Sequence, residues 1–273
     1  MEVVLMHWRA CAAALALFAA SCVVSYGQQA RQIVQQAVKT ELAADDADHT
    51  HWMYFDVDKK PNHSVQQWVA ETGKGNLKRL LEENGRELSE NEQRARIDRF
   101  VHDPAAQMKQ RKDGQHDDRQ ARQMLSMLPQ AFLWSKTSAQ NGTTVLHFAP
   151  NPHFHAHSDQ ERVYAAMEGE MKVNDQQHRI VSLSGHLTHS VKFGGGLLGN
   201  LHAGGSFDVE RRQIAKGEWQ IVETHVHIAG RMLLFKKIGD QEDDQESKFK
   251  ELPAGLSLDQ AEKMLFQQGR DGN

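Results

Sequence analysis

Glu161-Arg162-Val163-Tyr164-Ala165-Ala166-Met167-Glu168-Gly169-Glu170-Met171-Lys172-Val173 decides the fold, because its residues alternate with a period of two. Val163, Ala165, Met167, Gly169, Met171 and Val173 take one side. Arg162, Tyr164, Glu168, Glu170 and Lys172 take the other, which predicts one half-buried strand. The parity returns in Val181, Leu183, Gly185 and Leu187, then in Phe207 and Val209, and after a turn at Lys216-Gly217 in Trp219 and Ile221. Strands with short connections and no helical period between them pair antiparallel, giving a sheet with one apolar and one wet face. What the apolar face covers is then the functional question.

Upstream, Asn141-Gly142 between Phe132–Ser138 and Thr143–Phe148 is a strong hairpin signal that brings the sheet in earlier. Before it the period changes. Ser89 with Glu92 reads as a capping box, followed by the narrow stripe Ile97, Phe100, Val101, and Asp103-Pro104 restarts a helix. Lys109 to Arg122 is charged and almost free of apolar residues, so it is expected to project as a solvated arm. Met124, Leu125, Met127 and Leu128 then return to the body. Three strands are expected at His51–Val57, Val65–Thr72 and Leu77–Glu82, with turns at Gly73-Lys74-Gly75-Asn76 and Asn84-Gly85. A leading helix over Gln28–Ala44 places Ile33, Val34, Ala37, Val38 and Leu42 on one stripe. Downstream, the polar run from Asp240 through Glu246 to Phe249 reads as a charged edge strand, and Ser257 with Gln260 caps a last short helix carrying Leu258, Ala261 and Leu265.

At the amino terminus, Arg9 precedes an uncharged run from Ala10 to Val24, and Ser25-Tyr26-Gly27 offers small residues for cleavage, the pattern of an export signal. The run is shorter than a membrane span, so a mature chain without a transmembrane segment is expected, secreted to the periplasm. An alternative reading is Ala19-Ala20-Ser21-Cys22 as a lipobox, with Cys22 acylated as a membrane anchor. Cys11 and Cys22 are the chain's two cysteines, so cleavage after Gly27 leaves no thiol for a disulfide or a metal. The expected organisation is a signal peptide over 1–27, one domain over 28–266 with a helical insertion at 89–128, and a tail at 267–273. A net charge of −4 argues against a nucleic-acid partner.

These elements predict an α+β fold: a curled antiparallel sheet, a half-barrel, covered by helices and interrupted by the charged insertion. Asn151-Pro152-His153-Phe154, Ala166-Met167-Glu168-Gly169, Phe193-Gly194-Gly195-Gly196-Leu197-Leu198-Gly199, Gly204-Gly205-Ser206-Phe207 and Leu233-Leu234-Phe235-Lys236 carry a resemblance. The chain resembles the bacterial lipoprotein-carrier superfamily of LolA-, LolB-, LppX- and RseB-like half-barrels, and more closely a group of acidobacterial envelope proteins placed near it. The resemblance covers roughly Trp52 to Phe249. It implies a water-excluding concave face that takes a lipid or a lipoprotein acyl chain without catalysis and without a cofactor. By their shared parity, Val163, Met167, Met171, Leu183, Leu187, Phe207 and Trp219 are the expected lining. The competing expectation is that helices fill the concavity and the apolar face is core.

Two other motifs compete for a role. His153-Phe154-His155-Ala156-His157 places three imidazoles on one side of an extended segment, a geometry that can ligate zinc or copper, and His225-Val226-His227 repeats the idea. The chain holds 16 histidines, and no carboxylate or cysteine stands at an evident ligand spacing from the triplet. A metal-binding or metal-dependent protein is therefore the alternative reading. The glycine-rich stretch with Phe193, Leu197, Leu198 and Leu201 lacks the spacing of a phosphate loop; it is expected either to touch a membrane or gate the groove, or to fold back as a plug. The charged arm is read as a solvated insertion, with docking of an envelope protein as the alternative. No Gly-x-Ser-x-Gly turn and no carboxylate pair of hydrolytic type occurs, so no enzyme activity is expected.

Overall fold

The structure, a computed structural model, describes residues 27–193, 199–232 and 241–270. The expected lipobox and all of the expected signal peptide but Gly27 lie outside these residues, as do Leu197 and Leu198. The fold is α+β, built on one eleven-stranded antiparallel sheet that does not close, with helices packed against it. No helix among the described residues is long and apolar enough to cross a membrane.

The chain opens with α1 over 27–47. A meander follows of β1 (His51–Lys60), β2 (His63–Ala70), β3 (Leu77–Glu83) and β4 (Arg86–Glu87). Helices α2 (Glu90–Val101) and α3 (Pro104–Ala131) lead to a second meander, β5 (Phe132–Gln140), β6 (Thr143–Pro150), β7 (Met167–Asn174) and β8 (Ile180–Leu187), with the short α4 (Asp159–Tyr164) before β7. The hairpin β11 (Ser206–Ala215) and β12 (Glu218–His227) continues the sheet, while β9 (Val191–Phe193), β10 (Gly199–Leu201) and β13 (Gly230–Met232) form a small separate one. β14 (Gln241–Leu252) and α5 (Leu258–Phe266) complete the order.

Local chemistry sets these boundaries. Ser89 and Ser257 each make a reciprocal capping box, with Glu92 and Gln260 respectively, and the Asp103 carboxylate accepts the Ala105 and Ala106 amides ahead of Pro104. The two-residue turns Asn84-Gly85 and Asn141-Gly142 have both φ angles positive, the twist that lets flanking strands pair without splaying.

Sheet order is β4-β3-β2-β1-β14-β12-β11-β8-β7-β6-β5. β14 therefore lies inside the sheet, pairing with β1 on one side and β12 on the other, and corrects the expected edge strand. Its charges are tolerated because neighbouring strands answer several of them: Lys60 reaches Glu242 at 2.8 Å and His225 reaches Asp243 at 2.6 Å. The expected strand beginning at Val163 is also corrected. Ser158 accepts the Glu161 amide and the Glu161 carboxylate accepts the His157 amide at 2.7 Å, so local capping wins and Val163 sits on α4.

Register separates two cores. Met53, Phe55, Trp68, Ala70 and Leu77 on β1 to β3 pack against Ile97 of α2 and Leu258, Ala261 and Leu265 of α5. On the other meander Leu146, Phe148, Met167, Met171, Val173 and Leu187 pack against Ala30, Val34, Ala37 and Val38 of α1, Leu128 of α3 and Val163 and Tyr164 of α4. Direct partners run Asp58, Asp244, Thr224, Val209, Leu183, Met171, Leu146 across seven strands. Side chains of directly paired residues share a face, so Met171 lies on the face of Asp58, opposite to Phe55. The two cores thus occupy opposite faces of one sheet.

The charged helix α3 is tied at several points rather than projecting free. Gln110 Oε1 accepts the Asn76 amide at 2.6 Å, Arg111 donates to the Lys74 carbonyl, and Arg122 pairs with Asp45 and Asp46 at the end of α1. Its last turns return to the body through Leu125, Met127 and the buried Leu128, while Met124, expected there too, stays exposed.

Candidate functional site

The apolar face of β5 to β8 is the candidate. α1 lies on it through small residues: Ala30, Val34 and Ala37 are fully buried, at helical spacing that continues to Glu41. The charge on that stripe is answered. Glu41 Oε2 meets Arg179 at 3.0 Å and Arg211 at 2.6 Å, and Oε1 accepts the Ile180 amide at 2.7 Å. This buried triad pins the C-terminal half of α1 to β8 and β11. Spacing alone could have exposed it, since 30, 34, 37, 41 is one helical stripe, but the arginine partners are far along the chain.

Of the residues expected to line a cavity, Met167, Met171 and Leu187 are buried beneath the helices, and Val163 joins the same core from α4. Leu183 and Phe207, together with Val226, are half-buried at the margin of that core. Trp219 stands apart from the core: its indole Nε1 donates to Gln177 Oε1 at 2.9 Å and the Arg179 guanidinium lies 6.0 Å from its ring. The face is therefore largely filled by α1, with an apolar strip left at half burial along β8, β11 and β12. Gly185 makes room there; a Cβ on it would stand 2.9 Å from Phe207 Cε1 and 3.0 Å from Phe148 Cζ.

A shallow surface groove of about 470 Å³ lies between α1 and the end of α3, lined by Val38, Leu42 and Pro129 and bordered by Gln35, Lys39, Asp46 and Gln130. Tyr164 closes the other side of α3, donating from its hydroxyl to the Met124 carbonyl at 3.0 Å, and burial pushes its phenol well above the ordinary range.

Phe193 and Leu201 are buried in the α1 core through β9 and β10, so neither forms an exposed tip. His153, His155 and His157 are exposed on a loop whose Phe154 packs inward. Among the described residues no group of three or more His, Cys, Asp or Glu has the geometry to hold a metal ion. His225 and His227 stand on the wet face, where both imidazoles approach Asp243 Oδ1, at 2.6 Å and 3.5 Å. The hydrogen bond to Asp243 raises the His225 pKa above the ordinary value, and the same bond lowers Asp243. That arrangement is an ion-paired cluster.

No family model, curated protein or solved structure matches this chain. The functional reading therefore rests on the residues.

Proposed function

We propose that this protein is a non-catalytic envelope carrier or sensor that binds a lipid or lipoprotein acyl chain on the α1 face of the sheet. The observation that carries the reading is the half-buried strip of Leu183, Phe207 and Val226 beside α1. It is apolar, continuous with a core, and less covered than that core. An acyl chain laid along it gains about 0.8 kcal/mol for each methylene removed from water, so a few methylenes account for binding without any polar anchor. α1 itself rests on the face mainly through Ala30, Val34, Ala37 and Val38, small side chains that pack without deep interlocking, with Ile33 and Leu42 only partly buried beside them. Access by a longer chain then requires α1 to yield, against the restraint of the Glu41 triad.

The test is organic extraction of purified protein followed by mass spectrometry, and titration with a fluorescent fatty acid. Copurified lipid is expected, with saturable binding weakened about tenfold by Phe207→Asp, equivalent to about 1.4 kcal/mol. A lipid-free protein that ignores the fatty acid would sink the reading.

A further inference from the structure

The sheet is joined in its middle by β1 against β14, and on the α1 face this joint is lined with carboxylates. Asp56 stands directly opposite Glu246, and Asp58 directly opposite Asp244. Opposed like charges in a sheet repel, and a buried carboxylate without a partner is costly. Asp56 is 7% exposed. Its Oδ2 accepts from Gln67 Nε2 at 2.6 Å, while Oδ1 of Asp56, Asp58 and Asp244 are all buried with no hydrogen-bond partner. Lys60 answers one end, reaching Asp58 at 2.7 Å and Glu242 at 2.8 Å. Tyr54, Glu71 and Lys78 also bear on the group. Four carboxylates in two opposed pairs need a proton or a cation between them. The lack of any metal-holding group among the described residues favours the proton.

We propose that protons held on Asp244 and Glu246, which stand opposite Asp58 and Asp56, keep β1 on β14, and that their loss loosens this joint. The joint carries β1 to β4, and with them the α2 and α5 core, on the rest of the sheet. The electrostatics agree with the geometry. Burial, then the neighbouring Asp56 carboxylate, push Asp244 up to about 8. Burial, then the charges of Asp244 and Asp56, push Glu246 up to about 8, against the opposing pull of Lys78. Burial raises Glu71 as well. Folded-state values above the ordinary carboxylate range mean that the folded chain binds more protons than the unfolded one. The stabilising contribution is complete below the ordinary carboxylate range and is lost as pH rises through about 8.

Hydrogen exchange on the full chain, corrected for intrinsic rates, tests the joint at about pH 5 and about pH 9. Protection of β1 and β14 amides is expected to fall about tenfold or more relative to β6 and β7, the equivalent of one pKa unit or more. The double variant Asp244→Asn, Glu246→Gln is expected to flatten that difference. Unchanged protection in the wild-type chain overturns the proposal, and so does the same fall in a folded double variant. Recovery of protection at high pH on adding calcium or magnesium overturns it too, by making the seam a cation site. The wild-type comparison decides the matter even where the double variant does not fold.

Discussion

Glu41 on α1 and Arg179 at the entry to β8 form an ion pair at 3.0 Å with side chains 6% and 10% exposed, and Arg211 completes it from β11. Breaking such a buried pair from one side leaves charge without compensation, which costs about 3–5 kcal/mol. Glu41→Ala is expected to lower unfolding free energy by that amount in urea titration. A loss below about 1 kcal/mol would show that the triad does not restrain α1.

Arg122 makes the contrasting case. Its pairs with Asp45 and Asp46 are solvent-exposed, so Arg122→Ala is expected to leave the urea midpoint nearly unchanged, and any small shift to shrink as salt is added. A large fall in the midpoint, insensitive to salt, would mean that α3 is held by this contact rather than by its ends.

Gly169 and Gly185 face each other across β7 and β8. A Cβ on Gly169 would stand 2.0 Å from the Ser184 carbonyl oxygen and 2.5 Å from Gly185 Cα, both backbone atoms that cannot swing aside. Gly169→Ala is expected to destabilise by about 3 kcal/mol, the upper end of overpacking costs, and more than Gly185→Ala, whose added carbon meets the Glu168 carbonyl and two ring edges at 2.9 to 3.0 Å. Thermal unfolding of the two variants orders them.

The wet-face pair of His225 and Asp243 titrates in a defined direction. His225 is raised chiefly by its hydrogen bond to Asp243, so its contribution is complete below the ordinary histidine value and disappears as pH rises through the raised one. Asp243 is lowered chiefly by the same bond, so its contribution is present above the ordinary carboxylate value and lost as pH falls through the depressed one. The pair therefore acts between those limits. In an NMR titration the His225 midpoint is expected above the ordinary histidine value and to drop in Asp243→Asn; no movement on that substitution would remove the bond from consideration.

What the sequence showed plainly was local. Ser89, Asp103 and Ser257 announce helix starts because their side chains satisfy amides within three residues, and Asn84-Gly85 and Asn141-Gly142 announce hairpins because their backbone must take positive φ. Period-two parity placed Met167, Met171 and Leu187 on the buried face. It could not tell that Val163 belongs to a capped helix turn, because one and a half turns of helix and a short strand both alternate tolerably. Nor could it place β14 between β1 and β12, since that pairing joins distant segments and the strand's charges are answered only by residues brought from elsewhere. The same limit applied to the candidate site. Parity identified an apolar face and helical spacing identified the stripe of Val34, Ala37 and Val38, but neither says that this stripe rests on that face, a contact between segments distant in the chain.

The position of β14 also fixes an order of assembly. β1 lacks its second neighbour until residues 241–252 have been synthesised, and once β12 is complete at residue 227 its free border coexists with that of β1. Such high contact order slows folding and leaves the intermediate prone to self-association. A nascent chain halted before residue 241 would present two unfinished half-sheets with unpaired borders.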